Sequence, residues 1–257
     1  MVKDNRVLLL LILIILLVSS LFLYKSKFSD KDSDSKLGGF SQIKFSINYS
    51  SIDYPRELVY YKVVDEVWEE NFSSQDLVNS SGGLLSEDEA ILIAEDYIMS
   101  HGGLPGEAIL DNVETQYVEK RTIGEAEGER IPLFVEVTYH RVINGTPVVG
   151  PGDFIMVTIN EDGDVTGYMK SWRILEPTGI VDVISPEEAT KKLKDKETIG
   201  DSSYSYPIVI NKVYLGYYSQ SPGEKQGFYK PVWVFQGVDY YGETIRLYVD
   251  AELVDDS

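Results

Sequence analysis

The chain has 257 residues and a formal net charge of −19 at pH 7, from 23 basic and 42 acidic residues. A chain this acidic repels nucleic acid and anionic lipid headgroups, so neither is an expected partner. It contains no cysteine, which excludes a disulfide scaffold, thiol catalysis and lipoprotein attachment.

The N-terminal segment is the most apolar part of the sequence. Val7 to Leu23 carries no charge and is just long enough to cross a bilayer. A cleavable signal peptide is the alternative, because Lys3 and Arg6 supply a charged start, but no Ala-x-Ala site follows the apolar run. We therefore expect residues 1–27 to be an uncleaved anchor with short flanks. The predicted location is the cell membrane, with a single pass through Val7–Leu23 and the bulk of the chain extracytoplasmic.

Residues 28–83 are predicted to be a linker and a small N-terminal β module. Ser, Asp, Lys and paired Gly dominate residues 28–41, which is typical of a flexible stalk. Residues 42–48 alternate, and residues 58–68 are rich in Tyr and Val, so both stretches predict strands.

A first helix-and-sheet unit is predicted over residues 84–180. Ser86 followed by Glu89 is a capping box that predicts a helix start, and Gly102 with Gly103 predicts its end. The alternation of residues 133–140 predicts a strand with Val135, Val137 and Tyr139 on its buried face. Asn144-Gly145 and residues 160–164 predict hairpin turns.

A second unit is predicted over residues 181–257. Ser185, Pro186 and Glu188 repeat the helix-start signal of the first unit. Strands are expected at residues 208–218, 229–237 and 244–249, so the pattern indicates an internal duplication. The predicted fold class is α+β: an N-terminal transmembrane helix followed by two tandem units, each a helix packed on an antiparallel sheet.

The order of these motifs resembles that of the PepSY superfamily, and in particular its YycH and YycI type of membrane-anchored regulatory proteins. The resemblance rests on the Ser-x-x-Glu-Ala helix start, the turn in Val142–Gly150 and the turn at Asn160–Gly163, and more loosely on Pro231-Val232-Trp233 and Tyr248–Ala251. The motif positions, which we expect to be structural, are Asn144, Gly145, Pro147, Gly163, Trp172 and Trp233.

The resemblance implies a non-enzymatic, extracytoplasmic protein that binds and modulates a surface partner, either a sensor kinase or a protease. A structural or adhesive protein that binds envelope polymer is the alternative, and an acidic hydrolase is a third hypothesis. No zinc, nucleophile or nucleotide motif is present in the sequence, so we expect no catalysis, no cofactor and no metal. His140 and His101 are expected to be structural, and residues 161–164 to form a turn rather than a calcium site.

Candidate interaction residues come from exposure and charge. Tyr217 and Tyr218 flank a Ser-Pro-Gly loop and are predicted to be exposed partner contacts, although core packing is the usual role of tyrosine. An acidic loop gives a second candidate contact, with a solvated loop as the alternative; its residues are Glu125, Glu127 and Glu129. Asn-x-Ser/Thr sequons predict possible glycosylation at Asn48, Asn71, Asn79 and Asn144.

Overall fold

A computed structural model describes residues 43–73, 85–120, 129–200 and 207–254 of the chain. These residues belong to one compact unit. They form ten strands and two helices, with a short 3₁₀ turn at Tyr49–Ser51. The strands are β1 Ile43–Phe45, β2 Glu57–Phe72, β3 Ala108–Lys120, β4 Glu129–Ile143, β5 Thr146–Val149, β6 Phe154–Ile159, β7 Val165–Asp182, β8 Ile208–Tyr218, β9 Phe228–Val238 and β10 Thr244–Asp250. The helices are α1 Glu87–Ser100 and α2 Pro186–Lys194.

Both helices begin where the capping boxes predict. The backbone N–H of Glu89 donates to Ser86 Oγ over 3.3 Å, and the backbone N–H of Ser86 donates back to Glu89 Oε2 over 3.0 Å. Ser185 and Glu188 make the same reciprocal pair at α2. These bonds satisfy donors that a helix start leaves without partners, and they lower the pKa of both glutamates.

The strand pairings close into a circuit. Along it, β8 pairs with β5, β5 with β4, β4 with β6, β6 with β7, β7 with β2, β2 with β9, and β9 again with β8. The β5–β8 and β1–β8 pairs are parallel, and the other pairs are antiparallel. β3 is added beside β4, and β10 beside β9.

The predicted α+β fold of two tandem helix-on-sheet units is therefore wrong: the described residues are mostly β, with ten strands in one mixed sheet and two helices. β5, which was assigned to the first unit, pairs with β8 of the second, and β2 pairs with both β7 and β9. The expected boundary at residues 180 and 181 falls inside β7, which runs unbroken to Asp182. Strand alternation shows which face of a strand is buried, but it carries no information about which strand lies beside it, so the cross-unit pairs were missed.

The predicted membrane location is also corrected. Within the ranges that the structure describes, neither helix has the length and apolar character needed to cross a bilayer. Val7–Leu23, on which the prediction depends, lies outside the described residues, as does the 28–41 stalk. The single-pass, extracytoplasmic assignment is not carried further.

Two main hydrophobic clusters hold the fold together. One lies between α1 and the strands β4, β6 and β7, and it includes Ala94, Val157 and Trp172. The other lies between α2 and the strands β8, β9 and β10, and its largest member is Trp233, whose indole N–H donates to the Ile184 carbonyl over 3.0 Å. Each buries an apolar helix face against a sheet, which is the main stabilising contribution in such layers.

Candidate functional site

The sheet formed by β3, β4, β6, β7 and β2 has one covered face. Helix α1 packs there with Ala90, Ala94 and Ile98 against buried strand residues. Val135, Val137 and Tyr139 point to this side, which confirms the predicted alternation of β4. Helix α1 and this face of the sheet therefore form a hydrophobic core.

The opposite face of the same strands is partly open in the described part of the chain: several of its apolar side chains are exposed, although Ser171 of β7 is fully buried there. Residues paired across antiparallel strands share a face, so the register defines its rows. We call this surface the open face and define it by three rows. The first row is Trp68, Ser171, Phe154, His140 and Ile109; the second is Glu70, Met169, Met156, Thr138 and Asn112; the third is Phe72, Gly167, Thr158, Glu136 and Glu114.

The open face carries apolar side chains that belong to no core cluster. Trp68 is 44% exposed and Phe72 is 55% exposed, while Phe154, Met156 and Met169 are half-buried. Phe72 lies over Gly167, where an added Cβ would stand only 3.2 Å from the Phe72 ring. Exposed large apolar side chains grouped on one face of a sheet are typical of an interaction site.

The charges on the open face are mostly negative. Glu70, Glu114 and Glu136 lie in its rows, and Glu66 lies at its end beside Arg173. Gln116 donates to Glu136 Oε2 over 2.9 Å and holds that carboxylate at the surface. The surface therefore combines aromatic and Met side chains with carboxylates.

A buried network of charges closes one end of the open face. Asp153 is fully buried, and its carboxylate accepts from Arg141 Nη1 over 3.1 Å and from the Arg173 backbone N–H over 3.0 Å. Arg141 also donates from Nε to Glu107 over 2.7 Å and lies 5.1 Å from the centre of the Trp172 ring. Burial raises the pKa of Asp153, and hydrogen bonds from Tyr229 and Arg141 oppose that rise.

Arg173 joins this network to the loop after β8. Its guanidinium donates to Ser219 Oγ over 2.7 Å and to the carbonyls of Gln220 and Ser221 over 3.1 Å each. Gly152 makes the approach possible, because an added Cβ would stand 2.3 Å from the Gln220 carbonyl oxygen. With these donors used by protein acceptors, the network is suited to holding β7 against the loop after β8.

A cleft lies beside the network, where residues of β3, β4 and β5 meet residues of β8 and β10. Its volume is about 130 Å³. Its polar lining includes Asp111, His140, Tyr214, Arg246 and Tyr248, and we call it the His140 cleft. His140 Nε2 lies 3.7 Å from Asp111 Oδ2; burial lowers the pKa of His140, and the Asp111 charge opposes that shift.

The predicted tyrosine contacts are only partly available. Tyr217 is 2% exposed, so its prediction as an exposed contact is wrong: its hydroxyl donates to the Val59 carbonyl over 2.8 Å, and its ring packs against Tyr61. Tyr218 is half-buried and lines a separate open groove of about 270 Å³ with Lys225 and Lys230. Burial raises the pKa of both tyrosines.

The predicted acidic contact lies mostly beyond the described residues. Glu125 and Glu127 are outside them, and Glu129 begins β4 but its side chain is not described. The candidate contact therefore stays a prediction.

The sequons differ in their surroundings. Asn48, Asn71 and Asn144 are exposed, and Asn79 lies outside the described residues. The Asn71 amide donates to the Tyr97 hydroxyl, and the Asn144 amide donates to the Tyr61 hydroxyl, each over 3.1 Å. Glycosylation at any of them stays a prediction.

The motif residues have structural positions. Asn144 and Gly145 have φ angles of 50° and 82°, which confirms the tight turn, and Pro147 follows it in β5 opposite Val142. Gly163 has a φ of 84° in the turn before β7. Trp172 and Trp233 are buried in the two main hydrophobic clusters, at 7% and 0% exposure.

The remaining predicted polar positions also have local explanations. The Asn160 side chain accepts from the backbone N–H groups of Asp162 and Asp164, so it organises the turn for which calcium was the alternative. No group of three or more candidate metal ligands occurs among the residues that the structure describes. His101 stacks on Tyr97 at the end of α1.

Sequence reasoning missed the buried network and the open face. Arg141, Asp153 and Arg173 each stand beside apolar strand residues, and a charge in such a run is a usable signal for a buried pair. Trp68 and Phe72 alternate with Glu69 and Asn71, which indicates a strand but not which face a helix would cover.

The comparisons with known proteins give little further information. No protein-family model and no curated protein matches the sequence. A solved structure of an uncharacterized protein from Eubacterium rectale is similar, with 19% sequence identity and a TM-score of 0.37. The match covers 70% of this chain and 58% of the other protein's chain. The similarity is too low to indicate a function.

Proposed function

We propose that this protein is a non-enzymatic binding protein whose open face holds a basic amphipathic helix of a partner protein. The observation that carries the proposal is the contrast between the two sides of one sheet. Helix α1 covers one side, while exposed and half-buried aromatic and Met side chains line the other side in the described part of the chain. A sheet normally buries an apolar face against a helix or a second sheet.

The size of the open face fits a helix. Its rows cross β3, β4, β6, β7 and β2, and four inter-strand spacings of about 4.8 Å give a width of roughly 19 Å. A helix of roughly 13 residues has that length. Met156 and Met169 lie at the centre, and their flexible thioethers adapt to the side chains of a docking partner.

The charge of the open face favours a basic occupant. Glu70, Glu114 and Glu136 would meet lysine or arginine flanking the apolar stripe of the partner helix. A second copy of this chain is disfavoured, because a two-fold contact through the open face would place these carboxylates against themselves. The proposed occupant is therefore a basic helix of a different protein, whose identity is open.

A defined peptide tests the proposal. We would measure binding by fluorescence anisotropy with a synthetic amphipathic helix of leucine and lysine, and with the same design carrying glutamate for lysine. We expect the basic peptide alone to bind, with an affinity that falls as salt rises. Trp68→Ser should weaken binding roughly tenfold or more, as central aromatic contacts do.

The matched control is Leu92→Ser, since Leu92 is 66% exposed on the outer side of α1. Binding should be unchanged in this variant. Equal binding of both peptides, or equal loss in both variants, would contradict the proposal. A dimer in sedimentation that Trp68→Ser disrupts, or salt-independent binding of a polysaccharide at Trp68, would replace the proposed partner with a second copy or an envelope polymer.

A further inference from the structure

We propose that the His140 cleft binds a small zwitterion of the amino-acid class, with its carboxylate at Arg246 and its ammonium at Asp111. The cleft has opposite charges on its walls and an apolar lining beside them. The cleft adjoins the open face, since His140 and Ile109 belong to both, but its proposed ligand is a small molecule and not the macromolecular partner.

Arg246 is positioned as the carboxylate receptor. Its Nε donates to Gln236 Oε1 over 3.2 Å, and Gln236 lies directly opposite it in the β9–β10 register. No carboxylate lies within 4.0 Å of its guanidinium among the described residues, whereas Arg141 and Arg173 are both paired with acids. A hydrogen bond also joins Arg246 to the Tyr214 side chain, and the guanidinium N–H groups that remain can bind a carboxylate.

Asp111 is positioned as the ammonium receptor. Its side chain is 52% exposed, and its nearest basic group is His140 Nε2, at 3.7 Å. Burial favours the neutral form of His140, so this contact leaves most of the Asp111 charge unbalanced. No ion pair joins Asp111 to Arg246 in the parts of the chain described, although both charges act on His140 and on Tyr214. The two opposite charges therefore flank one space without neutralising each other.

The remaining lining suggests the body of the ligand. Val142, Pro147 and Val148 supply apolar contacts, and the Tyr214 ring lies at the polar side. The volume of about 130 Å³ is close to that of cavities that hold a molecule the size of benzene, about 150 Å³. A short aliphatic side chain fits beside the charged groups, and leucine is a suitable probe.

The experiment is calorimetric titration of the full chain with L-leucine, N-acetyl-L-leucine and L-leucinamide. We expect saturable binding of leucine. The acetyl analogue lacks the ammonium and the amide lacks the carboxylate, so each should bind roughly tenfold more weakly or worse. This comparison uses the unaltered protein and does not depend on how any variant folds.

Two substitutions assign the two ends of the ligand. Arg246→Gln should weaken leucine binding and abolish the preference for leucine over leucinamide; Asp111→Asn should do the same for the preference over N-acetyl-leucine. Arg130→Gln and Asp96→Asn are the matched surface controls and should bind leucine normally. Trp68→Ser should also bind normally, which separates this site from the open face.

Several results would overturn the inference. They are no saturable binding up to the millimolar range, equal binding of leucine and both analogues, or equal effects of the cleft variants and their controls. Binding of N-acetyl-leucine as tightly as leucine would replace the zwitterion with a plain carboxylate and remove Asp111 from the site.

Discussion

The two faces of the β3–β4–β6–β7–β2 sheet are built on the same backbone and have opposite surroundings. Under α1, Val137 and Val157 are fully buried; on the open face, their neighbours Thr138 and Met156 remain accessible. The covered face is mainly apolar, whereas the open face mixes aromatics and Met with glutamates. The difference separates surface that stabilises the fold from surface available for binding.

The largest expected effect comes from placing an aspartate on each face of β4 in turn. Val137→Asp should destabilise the fold by about 4 kcal/mol or more, because its carboxylate would be buried under α1 without a partner. Thr138→Asp, one residue away on the open face, should change stability by less than about 1 kcal/mol. Urea unfolding measures both, and similar losses would show that the open face is covered after all.

The second test concerns the network at the end of the open face. Asp153→Asn removes the carboxylate that two arginines share and leaves their charges less compensated, so we expect a loss of about 3 kcal/mol. The surface pair Lys230–Asp250 is the control, and Lys230→Met should cost less than about 1 kcal/mol. If both variants lose little stability in thermal unfolding, the network does not hold β7 against the loop after β8.

Alkaline pH should weaken the covered face. Burial raises the pKa of Tyr139 to about 12 and of Tyr168 to about 12, from an ordinary value of 10.0. The folded state resists ionisation of these hydroxyls more than the unfolded state does, so their ionisation costs no stability below pH 10, and stability falls as the pH rises from 10 through 12. Each tyrosine contributes about 2 to 3 kcal/mol to this dependence. The double variant Tyr139→Phe/Tyr168→Phe should flatten the stability profile between pH 10 and 12; an unchanged slope would exclude these tyrosines as its source.

The smallest expected effect is a gain in stability at neutral pH. The hydroxyls of Tyr139 and Tyr168 are buried without a hydrogen-bond partner in the described residues. Tyr139→Phe removes a polar group that is poorly solvated there, so we expect stabilisation by about 1 kcal/mol. Tyr217→Phe is the control and should destabilise, since the Tyr217 hydroxyl donates to Val59. If Tyr139→Phe instead lowers the denaturant concentration at the unfolding midpoint, the Tyr139 hydroxyl must have a hydrogen-bond partner such as a bound water.

The parts of the fold that depend on local chemistry were predictable. Capping boxes at Ser86 and Ser185, the Asn144-Gly145 turn and the inward side of β4 follow from near neighbours in the sequence. The pairings β5–β8 and β2–β9 depend on contacts between distant residues, and no local pattern encodes them. The candidate sites were missed for the same reason, because Asp111 and Arg246 line one cleft although more than a hundred residues separate them in the sequence.

The closed circuit of strands has a consequence for how the chain folds. β2 cannot complete its ladder until both β7 and β9 exist, although β9 follows it by more than a hundred residues. The last pairings to form must therefore wait for nearly the whole described chain, and such long-range closure makes folding slow. During synthesis β2 would remain unpaired at least until β7 has emerged, so Trp68 and Phe72 are accessible in the nascent chain during that time.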